Sequence, residues 1–147
     1  MNKNNDSVEL SYYQLTLLSF LKESHPELVN DSDLIVSRAN LAVQTYSQTI
    51  ENGQTHIQAE ESANEVLFEG LHFSKYDTLV NVLWNEFAQE VPQGSAKELA
   101  QQLLSVCEGV FTNYPLSDDF AYKPQFEQLY TELTGAIVIW LEDHELQ

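Results

Sequence analysis

"GLHFSKYDTLVNVLWNEF", Gly70 to Phe87, supports two readings, and the rest of the chain decides between them. Its first half crowds His72, Ser74, Lys75, Tyr76 and Asp77 together like a reactive cluster. From Tyr76 onward, Leu79, Val80, Leu83, Trp84 and Phe87 recur at steps of three and four, which predicts a helix from about Lys75 to Glu90, stopped by Pro92. Ser74 then falls at the N-cap and Asp77 at N3, a capping pair near the positive end of the helix dipole, with Phe73 stapling the entry. Gly70 ends the preceding helix. Most of the cluster is thereby explained by structure; only His72 and Lys75 are left over.

The same logic extends in both directions. Upstream, "THIQ" (Thr55–Gln58) is a capping-box pattern opening a helix with Ala59, Ala63, Val66 and Leu67 on its buried stripe. Before it, "NDSD" (Asn30–Asp33) caps a helix carrying Ile35, Ala39, Ala42, Tyr46 and Ile50, closed by Gly53. A first helix is predicted from about Ser11 to Ser24, ended by His25 and Pro26. Its apolar residues Tyr12, Tyr13, Leu15, Leu17, Leu18, Phe20 and Leu21 fall nearly all round, which predicts a central, largely buried helix. Downstream, "SAKE" (Ser95–Glu98) opens a helix with Leu99, Leu103, Val106, Cys107, Val110 and Phe111 in period, ended by Pro115. Pro124 at N1 starts the last, with Phe126, Leu129, Tyr130, Leu133, Ile137, Trp140 and Leu141. No strand pattern competes. The fold class is all-α: a single compact, bundle-like domain of about six helices over residues 1–147, with residues 1–8 expected to be flexible.

Composition narrows function. Acidic side chains number 23 against 6 basic, a formal charge of −17, spread almost evenly along the chain. Nucleic-acid binding rests on Lys and Arg neutralising phosphates, and this chain has no basic run, so direct contact with nucleic acid or an anionic membrane is disfavoured. A field of this sign attracts basic protein surfaces. At 43% hydrophobic residues, the chain is no disordered acidic tail. The start lacks the apolar run of a secretory signal, the longest apolar run (Gly135–Leu141) is far too short for a bilayer, and the single Cys107 cannot form an internal disulfide. The expected compartment is the cytoplasm.

Chemistry-bearing constellations are weak. Glu69 and His72 make an E-x-x-H, but no second one exists and Gly70 interrupts the helix between them, so no metal ligand is assigned. Ser74, His72 and Asp77 are too close in sequence for a triad, whose members come from separate elements. Asp118 and Asp119 in "LSDDFAY" lack the alternating oxygen ligands, glycine and distal Glu of an EF-hand loop. Glycine-rich phosphate loops are absent. Cys107 sits on an apolar stripe beside Glu108, which opposes thiolate formation. No catalytic residue and no cofactor is assigned; one polar cluster, His72, Lys75, Tyr76, Asp118 and Asp119, stands as the candidate if those side chains converge.

Four phrases, "ELSYYQLTLLSFLKESHPEL" (Glu9–Leu28), "EGLHFSKYDTLVNVLWNEF" (Glu69–Phe87), "YPLSDDFAY" (Tyr114–Tyr122) and "QLYTELTG" (Gln128–Gly135), resemble a small Bacteroidetes family of all-helical domains of unknown function. The resemblance runs from the first helix to the last. It implies a helical domain of a family often found near mobile or conjugative elements, and no catalytic residue.

The expected function is a non-enzymatic cytoplasmic interaction module with a strongly acidic surface, meeting a protein partner or a second copy of itself. A sharper form is a DNA-mimic-like protein occupying a basic groove. The alternative is a small enzyme or ligand-binding domain with a pocket between helices near His72 and Tyr76.

Overall fold

The computed structural model describes the backbone of residues 3–145 and the side chains of residues 9–144. Every regular element among them is helical: α1 Lys3–Ser24, α2 Ser32–Glu51, α3 His56–Phe68, α4 Lys75–Glu86, α5 Ala96–Val106, α6 Glu108–Phe111 and α7 Gln125–Glu145, with short 3₁₀ turns at Pro26–Leu28, Gln93–Ser95 and Phe120–Tyr122. The chain divides into two compact units, Met1–Leu71 and His72–Gln147.

In the first unit small residues let two helices approach closely. Ala39 and Ala42 of α2 and Ala59 and Ala63 of α3 have no exposed surface, and Tyr13, Leu17 and Leu21 of α1, Leu67 of α3 and Leu71 beyond it pack into the same core. The ends follow the sequence chemistry. Asp31 accepts the Leu34 amide at 3.1 Å, and both bonds of the Thr55–Gln58 capping box form, at 2.9 and 3.2 Å. Gly53 and Gly70 take φ of +87° and +79°, the left-handed conformation that ends a helix and strains any residue with a Cβ.

Two expectations for α1 are corrected. The helix begins at Lys3 rather than Ser11, because no Gly or Pro lies in that stretch to stop it from extending towards the N-terminus; residues 1–2 lie outside the described residues. Nor is it buried all round: Tyr12 is 53% and Leu15 64% exposed, while the core takes only the Tyr13–Leu17–Leu21 stripe. Along α2 the buried line likewise runs to Thr49, leaving Ile50 exposed.

The second unit packs α5 and α7 on α4. Leu79, Val82 and Leu83 of α4 meet Leu103, Phe111, Leu129, Leu133 and Ile137 in one core, with Phe120 fully buried at its end. Aromatic rings organise that end: Phe120 stands edge-on to Phe73, Tyr114 and Phe126 at centroid distances of 5.3, 5.9 and 6.4 Å.

Three boundaries differ from expectation. α4 ends at Glu86 rather than Glu90, where buried Phe87 leaves helical geometry at φ −127°, ψ 30°, five residues before Pro92. The helix opened by "SAKE" breaks at Cys107 (φ −96°, ψ 4°) into α5 and α6, which makes seven helices of the predicted six. Ser95 forms no side-chain cap, since it closes a 3₁₀ turn through its amide to the Pro92 carbonyl at 2.9 Å. Trp84, expected on the buried face, is 39% exposed, with its indole N–H directed at the Gln93 carbonyl.

Candidate functional site

The segment from Val66 to Asp77 contains the C-terminus of one helix and the N-terminus of the next. A helix ends with free carbonyls and begins with free amides, so the two ends call for opposite partners. At the end of α3 the chain's sole arginine reaches across from α2. Arg38 Nη1 donates to the carbonyls of Val66 (3.1 Å), Leu67 (3.4 Å) and Glu69 (2.6 Å), placing a cation against the negative end of the dipole. His25, 5% exposed, donates from Nε2 to the Leu71 carbonyl at 2.7 Å, which puts a proton on that nitrogen. Its Nδ1 lies 3.8 Å from Glu27.

Beyond Leu71 the partners change sign. The His72 amide donates to Asp118 Oδ1 at 3.0 Å, and the Asp77 amide donates to Ser74 Oγ at 2.9 Å, the N-cap predicted from sequence. The polar cluster proposed from sequence thus resolves into separate pairs. His72 meets Asp118 through its main chain, with the side chain exposed. Lys75 turns instead to Glu108, its Nζ 3.3 Å from Oε2, and lies 5.7 Å from the centre of the Phe111 ring. Tyr76 is core, 6% exposed, and burial together with Asp77 raises its phenol pKa. Asp119 accepts from Ser117 Oγ at 2.7 Å and faces Lys123 at 3.7 Å; the Ser117 hydrogen bond leads in lowering its carboxyl pKa.

Other candidates behave as core. Cys107 has no exposed surface, and burial pushes its thiol up to about 11, away from thiolate at neutral pH. Glu69 is the cap residue after α3, outside the helix, so the E-x-x-H spacing does not lie on one helical face. No group of three His, Cys, Asp or Glu among the described residues is arranged to hold a metal ion, and no described helix is long and apolar enough to cross a membrane.

The second unit also carries an open groove of about 350 Å³ between the start of α5 and the end of α7. Val91, Leu99 and Leu141 line it, with Glu90, Glu98 and Gln102 at its polar edge; none of the five residues of the sequence-derived cluster takes part. Sequence reasoning placed Leu99 and Leu141 on buried stripes, whereas both remain half-buried and line the groove. Arg38 and His25 were also missed as partners of distant carbonyls. The available signal was scarcity: one arginine in a chain with 23 acids.

Comparison with known proteins agrees with this architecture. Among curated proteins nothing matches the chain. The crystal structure of protein PG0816 from Porphyromonas gingivalis is similar at 43% sequence identity and a TM-score of 0.92, covering 99% of each chain. The family model described as "Domain of unknown function (DUF1896)" matches residues 5–146, and with nearly the whole length so covered, the chain belongs to the DUF1896 family.

Proposed function

We propose that this chain is a non-enzymatic, cytoplasmic helical interaction module whose acidic surface recognises a basic protein partner. The observation that carries this reading is how the charges are used. Every described Asp and Glu side chain is exposed or half-exposed, while half of the six basic residues are already engaged by the chain's own oxygens: Arg38 on α3 carbonyls, Lys75 on Glu108 and Lys123 on Asp119. Carboxylates therefore face solvent in large excess over cations able to offset them. Such a surface accelerates encounter with a basic partner and discourages acidic ones. Exposed apolar side chains, among them Leu15 and Ile139 at 64% and 62%, offer desolvation area that pure electrostatics lacks. The small-enzyme reading near His72 and Tyr76 has no such support, since His72, Lys75 and Tyr76 are directed to different surroundings.

The test is affinity capture from the native cell followed by reconstitution with purified components and mass measurement by light scattering. The expected result is a stoichiometric complex with a basic protein whose affinity falls as salt rises, because exposed charges are screened beyond about 10 Å at 0.1 M. A chain that stays monomeric and reconstitutes with no captured protein defeats the reading.

A further inference from the structure

We propose that the groove between α5 and α7 is the docking site within that acidic surface, and that its occupant is a basic amphipathic segment of a partner protein, held by an apolar anchor side chain. This rests on the interaction-module reading and specifies where the partner engages.

Its chemistry selects that occupant. Val91, Leu99 and Leu141 make an apolar floor, Glu90 and Glu98 place two exposed carboxylates at its edge, and among the described residues no Lys, Arg or His lines it. A purely apolar ligand would leave the carboxylates uncompensated, and an acidic one would be repelled. A segment presenting a Leu-sized anchor flanked by Lys or Arg satisfies floor and rim together, the helix-in-groove arrangement with charges at the edge. At about 350 Å³ the space suits one or two anchor side chains rather than a whole domain. The helix periods prolong the strip: Val106 follows Leu99 by two turns on α5 and Val138 precedes Leu141 by one turn on α7, and they are 45% and 40% exposed. Exposed apolar residues thus continue from the groove along each of the two helices.

The experiment uses the full chain, isotope-labelled, titrated with a synthetic amphipathic helix of about four turns built from Leu and Lys. Amide shifts should concentrate at Val91, Leu99 and Leu141, and Glu90→Lys combined with Glu98→Lys should weaken binding about tenfold. Glu61→Lys combined with Glu65→Lys, an equal change of net charge on exposed positions of α3, should leave affinity within about twofold. All four positions are exposed, so the variants should fold, which circular dichroism checks. Equal weakening by both pairs, or equal binding of a peptide with Ser in place of Leu, would mean that net charge alone attracts; either overturns the groove assignment while the module reading stands. A Leu/Lys peptide that does not bind the wild-type chain also overturns the groove assignment, and the reconstitution experiment then judges the module reading separately.

Discussion

The two units reach a similar size by different packing. The first brings α2 and α3 together over alanines, Ala39, Ala42, Ala59 and Ala63, with leucines filling the space under α1. The second fills its core with large side chains and closes one end with interlocking aromatic rings around Phe120. Their polar contacts also differ. Both use oxygens for free amides at helix starts, Asp31 and Thr55 in the first and Ser74 and Asp118 in the second, but the first also uses the basic side chains of Arg38 and His25 on carbonyls at and beyond the end of α3. The lesson is that a strongly acidic chain has oxygens to spare for helix starts, whereas every helix end that needs a cation draws on a pool of six.

The aromatic end of the second unit is where the contrast is most easily broken. Phe120→Ala removes a ring with no exposed surface that three other aromatics contact edge-on. The expected loss is about 3–5 kcal/mol, transfer and cavity costs combined. Denaturant titration measures it, and hydrogen exchange should locate it: amides of α4 and α7 lose protection while those of α2 and α3 keep theirs. Equal loss of protection in α2 and α3 would mean that the units do not keep separate cores.

Arg38 tests the first unit's dependence on a cation. Arg38→Gln deletes a charge that bonds three carbonyls at the end of α3 and leaves them to water or weaker donors. Hydrogen bonds to charged groups are worth about 1.5–3 kcal/mol, and the half-exposed site puts the expected loss near the lower figure. Arg38→Lys should recover only part of it, because all three bonds come from Nη1 at the tip of the guanidinium, farther out than the ammonium of the shorter lysine side chain. Full rescue by Lys would mean that charge at the dipole matters and geometry does not.

These contrasts explain what could be read from sequence. Local chemistry was legible: the Ser74 cap, a cap within Asn30–Ser32 that proves to be Asp31, the Thr55–Gln58 box and the Gly53 and Gly70 stops each need only neighbours within a few residues. The all-α class followed from period alone. What failed needed knowledge of the third dimension. Nothing in Tyr12 or Leu15 says that α1 has core on one side only, and nothing near Cys107 announces the break between α5 and α6. In the proposed cluster, Asp118 does come to His72, but to its backbone, and every amide looks alike in a sequence. The groove was invisible for the same reason, since the half-burial of Leu99 and Leu141 depends on how two helices far apart in the sequence pack together.

The smallest effect sharpens the comparison most, because it isolates one acceptor. Asp118→Ala removes the oxygen that the His72 amide meets at 3.0 Å, and Asp118→Asn keeps an oxygen while discarding the charge. The site is partly exposed, so water can replace the lost partner, and the expected cost of the Ala variant is about 1 kcal/mol. If Asp118 acts as an acceptor for an amide ahead of α4, Asn should restore most of that stability and the His72 amide should exchange no faster than in the wild-type chain. If it acts instead by its charge near the positive end of α4, Asn should be as weak as Ala, and the loss should shrink in high salt. The geometry favours the first outcome: the hydrogen bond is made to a main-chain amide two residues before the N-cap Ser74, where the field of the helix has already fallen off.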